Sequence, residues 1–231
     1  MKKNTLISSL LLIGVFLLFA ISCDKDDDNG KNRLKDKRDG KVYKTVKIGN
    51  QVWMAENLAY KPSSGNYWAY DNDDANVEIY GYLYDWHTVM NGATSSNSNP
   101  SNVQGICPSG WHVPSDAEWT ELTDYLGGQS FAGGKLKSTG TIEAGTGLWY
   151  LGNTGATNET GFTALPGGIW WYDGTFYHIG IYGHWWSSTE SSNEYSTISA
   201  WRRVMPCYDS YVDRDYHFKG NGLSVRCVRD N

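Results

Sequence analysis

Aromatic residues crowd a chain that is equally rich in glycine. Eleven Trp, 16 Tyr and 6 Phe stand beside 26 Gly and only 6 Pro in 231 residues. So many rings cannot all remain in water, so most of the chain must fold around a core. The glycines keep the apolar runs short, which points to short strands and many turns. Gly has no three-residue period and sustained heptads are absent, which excludes collagen-like and coiled-coil architectures. The length is that of one domain with a sizeable core. The formal charge is −5 and no basic stripe appears, so a nucleic-acid partner is not expected.

The N-terminus reads as an address. Lys2 and Lys3 precede Leu6–Ile21, an apolar run broken only by Ser8, Ser9 and Gly14. A positive start followed by a short apolar stretch is the pattern of a secretory signal. The run is shorter than the roughly 20 residues of a spanning helix, which argues against an uncleaved anchor. Ala20-Ile21-Ser22-Cys23 at its end resembles the bacterial lipobox. That resemblance implies cleavage before Cys23 and acylation of Cys23, whose acyl chains then hold the protein to a membrane. Residues 1–22 are therefore expected to be a lipoprotein signal peptide and 23–38 an acidic, solvated tether, since no apolar periodicity exists there. Lys25-Asp26-Asp27 is either plain spacer or resembles the export tag of surface lipoproteins of Bacteroidota. The expected location is the bacterial outer membrane with display at the cell surface, the face of that membrane being left open.

A folded domain is expected over 39–231. Val42 to Ile48, the Gly49-Asn50 turn and Gln51 to Ala55 read as a β-hairpin. Leu83, Trp86, Val89 and Met90 share one helical face, and Asn91-Gly92 stops it. Ser115 and Glu118 form a capping box for a second helix carrying Trp119, Leu122 and Leu126, closed by Gly127-Gly128. Beyond Gly128 no strong helix is expected. Short apolar runs recur at 161–165, 169–172, 176–182, 185–189, 199–205 and 223–229. The reading is an α+β domain with two early helices and a strand- and loop-rich C-terminal half.

Six phrases then stand in order: Val42–Leu58, Tyr80–Trp86, Gly105–Pro114, Gly161–Gly168, Trp186–Glu190 and Ser224–Asp230. Together they resemble the Fibrobacter succinogenes major paralogous domain, over about Asp39 to Asp230. That resemblance implies secreted or surface lipoproteins with roles in adhesion or glycan handling, and no established catalytic residues. Gly110–Trp119 is also similar to a phrase of the formylglycine-generating-enzyme family, and Ser224–Val228 to its last strand. By analogy this implies a C-type-lectin-like fold, which by itself carries no function.

Lectin-like folds place the element before the capped helix beside the last strand. The resemblance therefore implies a Cys107–Cys227 disulfide, with Cys207 left free or partly buried; three reduced, buried cysteines are the alternative. Catalysis lacks support. Formylglycine-generating enzymes need a reactive cysteine pair on copper, and related iron enzymes need three converging histidines. Here His87, His112, His178, His184 and His217 are scattered. His178 and His184 are the best candidate metal pair, and structural or surface roles are favoured for both. Asp71–Asn76 is the densest oxygen cluster, but it lacks the glycine of a calcium loop and reads as an acidic turn before the first helix. No cofactor and no metal site are expected.

Sugar rings present apolar faces that stack on aromatics. Trp170, Trp171, Tyr172, Tyr177, Tyr182 and Trp185 are therefore the candidate ligand-binding residues. Alternation along strands sends one member of each Trp-Trp pair inward and the other outward. An outward stripe would be an exposed apolar patch of the kind that marks a binding surface. The leading reading is a metal-independent binding module on the cell surface, whose partner is a polysaccharide, a glycoprotein or a surface protein. The alternatives are a structural or assembly component of a surface complex or fimbria-like adhesin, and a lectin-fold oxidative enzyme.

Overall fold

Gly49 sits at φ 58°, a left-handed position that glycine adopts without steric cost, and there the chain reverses between its first two long strands. The computed structural model describes residues 32–192 and 197–230. The strands flanking that turn, β2 (Val42–Ile48) and β3 (Gln51–Met54), pair antiparallel with Val46 opposite Trp53. A short strand β1 (Arg33–Lys35) pairs with the outer edge of β2, Leu34 opposite Tyr43. Residues 32–38 are thus not tether: Leu34 and Asp36 are buried, and the folded unit opens at Asn32. A single apolar residue in a charged run suffices here, because it lands on the buried ring of Tyr43. The expected signal segment and the expected tether up to residue 31, Cys23 included, lie outside the described residues.

Next come β4 (Tyr67–Trp68), α1 (Ala75–Tyr80), β5 (Leu83–Tyr84) and α2 (Trp86–Met90). The helix expected from Leu83 begins at Trp86, because Leu83 and Tyr84 are taken up by pairing with β4. Asp85 caps α2 by accepting from Thr88 N–H at 2.7 Å, and Asn91 ends it in the left-handed region. Strand β6 (Trp111–His112) precedes α3 (Asp116–Tyr125), whose capping box is complete. Ser115 Oγ accepts from Glu118 N–H at 3.1 Å, and Glu118 Oε2 accepts from Ser115 N–H at 2.9 Å.

Helix α4 (Gln129–Leu136) follows, where no helix was expected. Gly133 and Gly134 lower its propensity, and tertiary packing explains both. A Cβ on Gly133 would collide with the backbone of Ser210 and Tyr211, and one on Gly134 would lie 2.5 Å from Gly155 O. Among the described residues, four α-helices therefore lie between residues 75 and 136, against the two expected.

The C-terminal half is strand and loop. Its strands are β7 (Gly167–Trp170), β8 (Phe176–Ile179), β9 (Tyr182–Glu190), β10 (Ser199–Pro206), β11 (Asp213–Phe218) and β12 (Val228–Arg229). The run 161–165 forms no strand; Ala164 makes only an isolated bridge to Lys137. The architecture is α+β, built of small antiparallel sheets. One has the order β1-β2-β3-β12-β6, so the last strand lies between the first hairpin and β6. A second is β11-β10-β9, and β7 pairs with β8 as a separate hairpin.

Strand β9 is buried along both faces, which departs from simple in-out alternation. Trp185 enters one apolar cluster with Trp119, Phe162 and Met205. Trp186 enters the other, with Tyr84, Ile169 and Val225. Arg226, fully buried, ties these layers together. Its Nε donates to Asn57 Oδ1 at 2.9 Å, and its Nη groups donate to Phe162 O and Thr163 O. Asn57 Oδ1 also accepts from Trp185 Nε1 at 2.9 Å. Burial pulls the Arg226 pKa down to about 9, so it stays protonated at neutral pH and satisfies carbonyls that would otherwise be orphaned.

Candidate functional site

An apolar groove of about 190 Å³ opens where the β7–β8 turn meets the end of β11. Trp171 and Tyr172 supply one side, Tyr216 and Phe218 the other, with Ile198 at the rim. Tyr172 is 64% exposed, Phe218 42% and Tyr216 39%, large values for rings in a folded domain. Tyr172 meets Phe218 edge-on at 5.8 Å, and Trp171 meets His217 at 4.9 Å. Local backbone bonds hold this arrangement. Gly174 N–H donates to Trp171 O, and Trp171 N–H to Thr175 O, closing the turn after β7. Trp170 and Gly222 exchange both backbone hydrogen bonds, fixing the turn against the segment after β11.

Three polar side chains, Ser199, His217 and Asn221, line the same groove, and Ser199 Oγ lies 2.7 Å from Ser191 Oγ. Asn221 is fully buried, and its Oδ1 accepts from Tyr172 N–H at 2.9 Å, while its Nδ2 has no partner. His217 Nε2 is likewise buried and unpartnered. Burial, and next the neighbouring Arg202 charge, pull the His217 pKa down to about 3, so the ring is neutral over the physiological range.

The six candidate aromatics part company. Trp171, Tyr172 and Tyr177 come together, with Trp171 6.0 Å from Tyr172 and 6.4 Å from Tyr177 between ring centres. Trp170 is half-buried and stacks on Trp68 at 3.7 Å. Tyr182 lies elsewhere, its hydroxyl 2.8 Å from that of Tyr208 and its ring against His178 and His184. Trp185 must be withdrawn as a ligand-binding residue: it is wholly buried and hydrogen-bonded to Asn57. The physical reason is that helix α3 covers one face of β9 while Tyr84 and its neighbours cover the other, leaving neither Trp of the pair at the surface. Tyr216, Phe218, Ile198 and Asn221 escaped the sequence reading. Only the Tyr216 and Phe218 alternation within β11 marked them, and Asp213, Arg214 and Asp215 masked that strand.

Cys107 and Cys227 are joined by a disulfide, with Cα atoms 5.9 Å apart. Cys207 is free and buried. His178 and His184 lie close, 6.1 Å between ring centres, but Arg202 Nη1 is 3.2 Å from His184 Nδ1. Among the described residues no group of three or more His, Cys, Asp or Glu is placed to hold a metal ion. In the Asp71–Asn76 cluster, Asp73 Oδ1 accepts from Ala75 N–H and Asn76 Nδ2 donates to Tyr70 O; the helix that follows directly is α1, which was not expected, while the expected helix begins at Trp86 as α2. A larger cavity of about 490 Å³, lined by residues including Arg38, Tyr60, Asp85 and Gln104, is polar and internally bonded. Arg38 chelates Asp36 there and lies over Tyr60 at 3.7 Å, and Asn66 donates to Asp85 at 2.7 Å.

The model of the family described as the Fibrobacter succinogenes major domain matches residues 46–229. The chain belongs to that family. Every residue of the groove falls within the matched Fibrobacter succinogenes major domain, as do both bridged cysteines. No curated protein and no solved structure matches the chain. No helix among the described residues is long and apolar enough to cross a membrane.

Proposed function

We propose that this chain is the head of a lipid-anchored, cell-surface protein that holds a saccharide in the Trp171–Tyr172–Tyr216–Phe218 groove by contact, without metal and without catalysis. One observation carries the reading: four aromatic side chains converge on one open groove, three of them exposed by more than a third. Aromatic faces of this kind match the apolar face of a pyranose, and their cost of exposure to water is otherwise unexplained. The anchoring half of the proposal rests on the lipobox at Cys23 and places the head at the outer membrane. A C-type-lectin-like relation is part of the same proposal. It is supported by the last strand lying inside the first sheet and by the bridge from Cys227 to the segment before α3.

Binding of the purified mature chain to a glycan and mucin array, compared with its Tyr172→Ala variant, tests the reading. Signals that fade in the variant support it. No sugar binding together with specific co-purification of neighbouring surface proteins would favour an assembly role instead. Stoichiometric, tightly held iron or copper would favour the oxidative enzyme.

A further inference from the structure

The charges around the groove narrow its ligand class, an inference that rests on the saccharide reading above. None of the side chains lining the groove is charged. The cations on the surrounding elements are all engaged with carboxylates. Arg202 Nη2 lies 2.8 Å from Asp215, Arg214 Nη2 lies 2.8 Å from Asp116, and Lys219 Nζ lies 2.5 Å from Glu190. Arg214 Cζ also lies over the Trp201 ring at 3.5 Å, and Lys219 Nζ lies over Trp86 at 4.6 Å. Asp116 is further shared with the buried Arg203. In the turn beside Tyr172, Asp173 adds a negative charge, its carboxylate accepting from Thr175 N–H and lying near the Tyr177 hydroxyl. The chain as a whole carries −5. A carboxylated or sulfated sugar entering here would lose hydration, meet no available cation among the described residues and face a net negative chain.

A neutral sugar suits the same site. Its apolar face needs the aromatic walls, and its hydroxyls need donors and acceptors inside them. Asn221 Nδ2 is a buried donor with no partner, and His217 Nε2 is a buried ring nitrogen with no partner. Unsatisfied buried polar atoms in a native fold call for an explanation, and two of them on residues lining one groove share a simple one. The geometry points to a neutral pyranose of an uncharged polysaccharide as the occupant, with the amide of Asn221 as its polar anchor.

The test is affinity electrophoresis and calorimetry of the mature chain. The probes are a neutral β-glucan and a neutral mannan against polygalacturonate and alginate, each at about 0.02 M and about 0.5 M salt. Two variants accompany the wild type. Asn221→Asp keeps the oxygen that accepts from Tyr172 N–H and deletes the unpartnered donor, while Tyr172→Ala removes an exposed wall. The expected result is binding to a neutral polymer that salt leaves unchanged, weakened about tenfold or more by each variant. Tighter, salt-sensitive binding to the acidic polymers would overturn this inference and leave the saccharide reading intact. Binding to no polymer would overturn that reading itself. If Tyr172→Ala weakens neutral-polymer binding and a folded Asn221→Asp does not, the assignment of the anchor fails.

Discussion

His112 Nε2 and Glu118 Oε1 lie 2.7 Å apart, and both side chains are buried. The opposite ring nitrogen, Nδ1, lies 2.7 Å from Asp230 near the C-terminus. One imidazole therefore links the capping box of α3 to the chain's end, across the β6–β12 pairing. Burial alone would lower the His112 pKa, but the hydrogen bonds and charges of Glu118 and Asp230 together raise it above the ordinary value. Because the folded pKa is the higher one, the stability it contributes is fully present below the unfolded value near 6.5. It is lost as pH rises through the folded pKa. NMR titration of the His112 ring should show a midpoint above that of an unstructured histidine. His112→Leu should cost about 3–5 kcal/mol by leaving Glu118 buried without its partner, read as a lower urea midpoint.

His178, His184 and His217 respond in the opposite sense. They surround Arg202, whose guanidinium contacts His184 Nδ1 and pairs with Asp215. Burial and then the Arg202 charge lower all three. Asp215 opposes this at His217, and Asp213 adds negative charge near Arg202. The unfolded chain binds these protons first, so stability falls as pH drops below about 6.5 and continues to fall toward the folded values. For His217, with its pKa at about 3, the loss reaches about 2 kcal/mol at pH 5. Denaturant midpoints across pH 4.5–8 should decline on the acid side, and His217→Phe should flatten that decline.

The Cys107–Cys227 bridge spans 120 residues. In the chain-entropy picture a loop of that length contributes about 4–5 kcal/mol. Reduction, or Cys227→Ser, should lower the thermal midpoint by a corresponding margin. Thiol titration of the denatured, unreduced segment from residue 32 should give one reactive thiol, from Cys207. Three would contradict the bridge.

Trp185 and Tyr172, both candidate ligand contacts by sequence, should behave differently on substitution, since one is buried and the other exposed. Trp185→Ala removes a ring packed against Trp119 and Phe162 and should cost about 3–5 kcal/mol of stability. Tyr172→Ala, at an exposed ring, should leave the thermal midpoint nearly unchanged and weaken saccharide binding. Differential scanning calorimetry alongside a binding assay separates the two effects.

Local signals in this chain were legible wherever they act within a few residues. The Gly49 turn and the Ser115–Glu118 capping box stand where the sequence put them, because their bonds close on their immediate neighbours. What escaped is what tertiary contact decides. Helix α4 carries two glycines whose value lies in the approach of Ser210, Tyr211 and Gly155. Strand β1 is one apolar residue between Arg33 and Lys35, meaningful only beside Tyr43. Strand β11 is charged because it edges its sheet and answers Arg202 and Asp116, so its Tyr216 and Phe218 went unnoticed as groove walls. The Trp185-Trp186 pair misled for the same reason, since alternation assumes one wet face and β9 has none.

The most direct measurement is an NMR titration of the labelled mature chain with a neutral oligosaccharide. The account predicts that the Trp171 indole and the backbone amides of Tyr172, Phe218 and Asn221 shift first and together. Shifts confined to the polar cavity around Asp85, His87 and Gln104, with Trp171 unmoved, would contradict it.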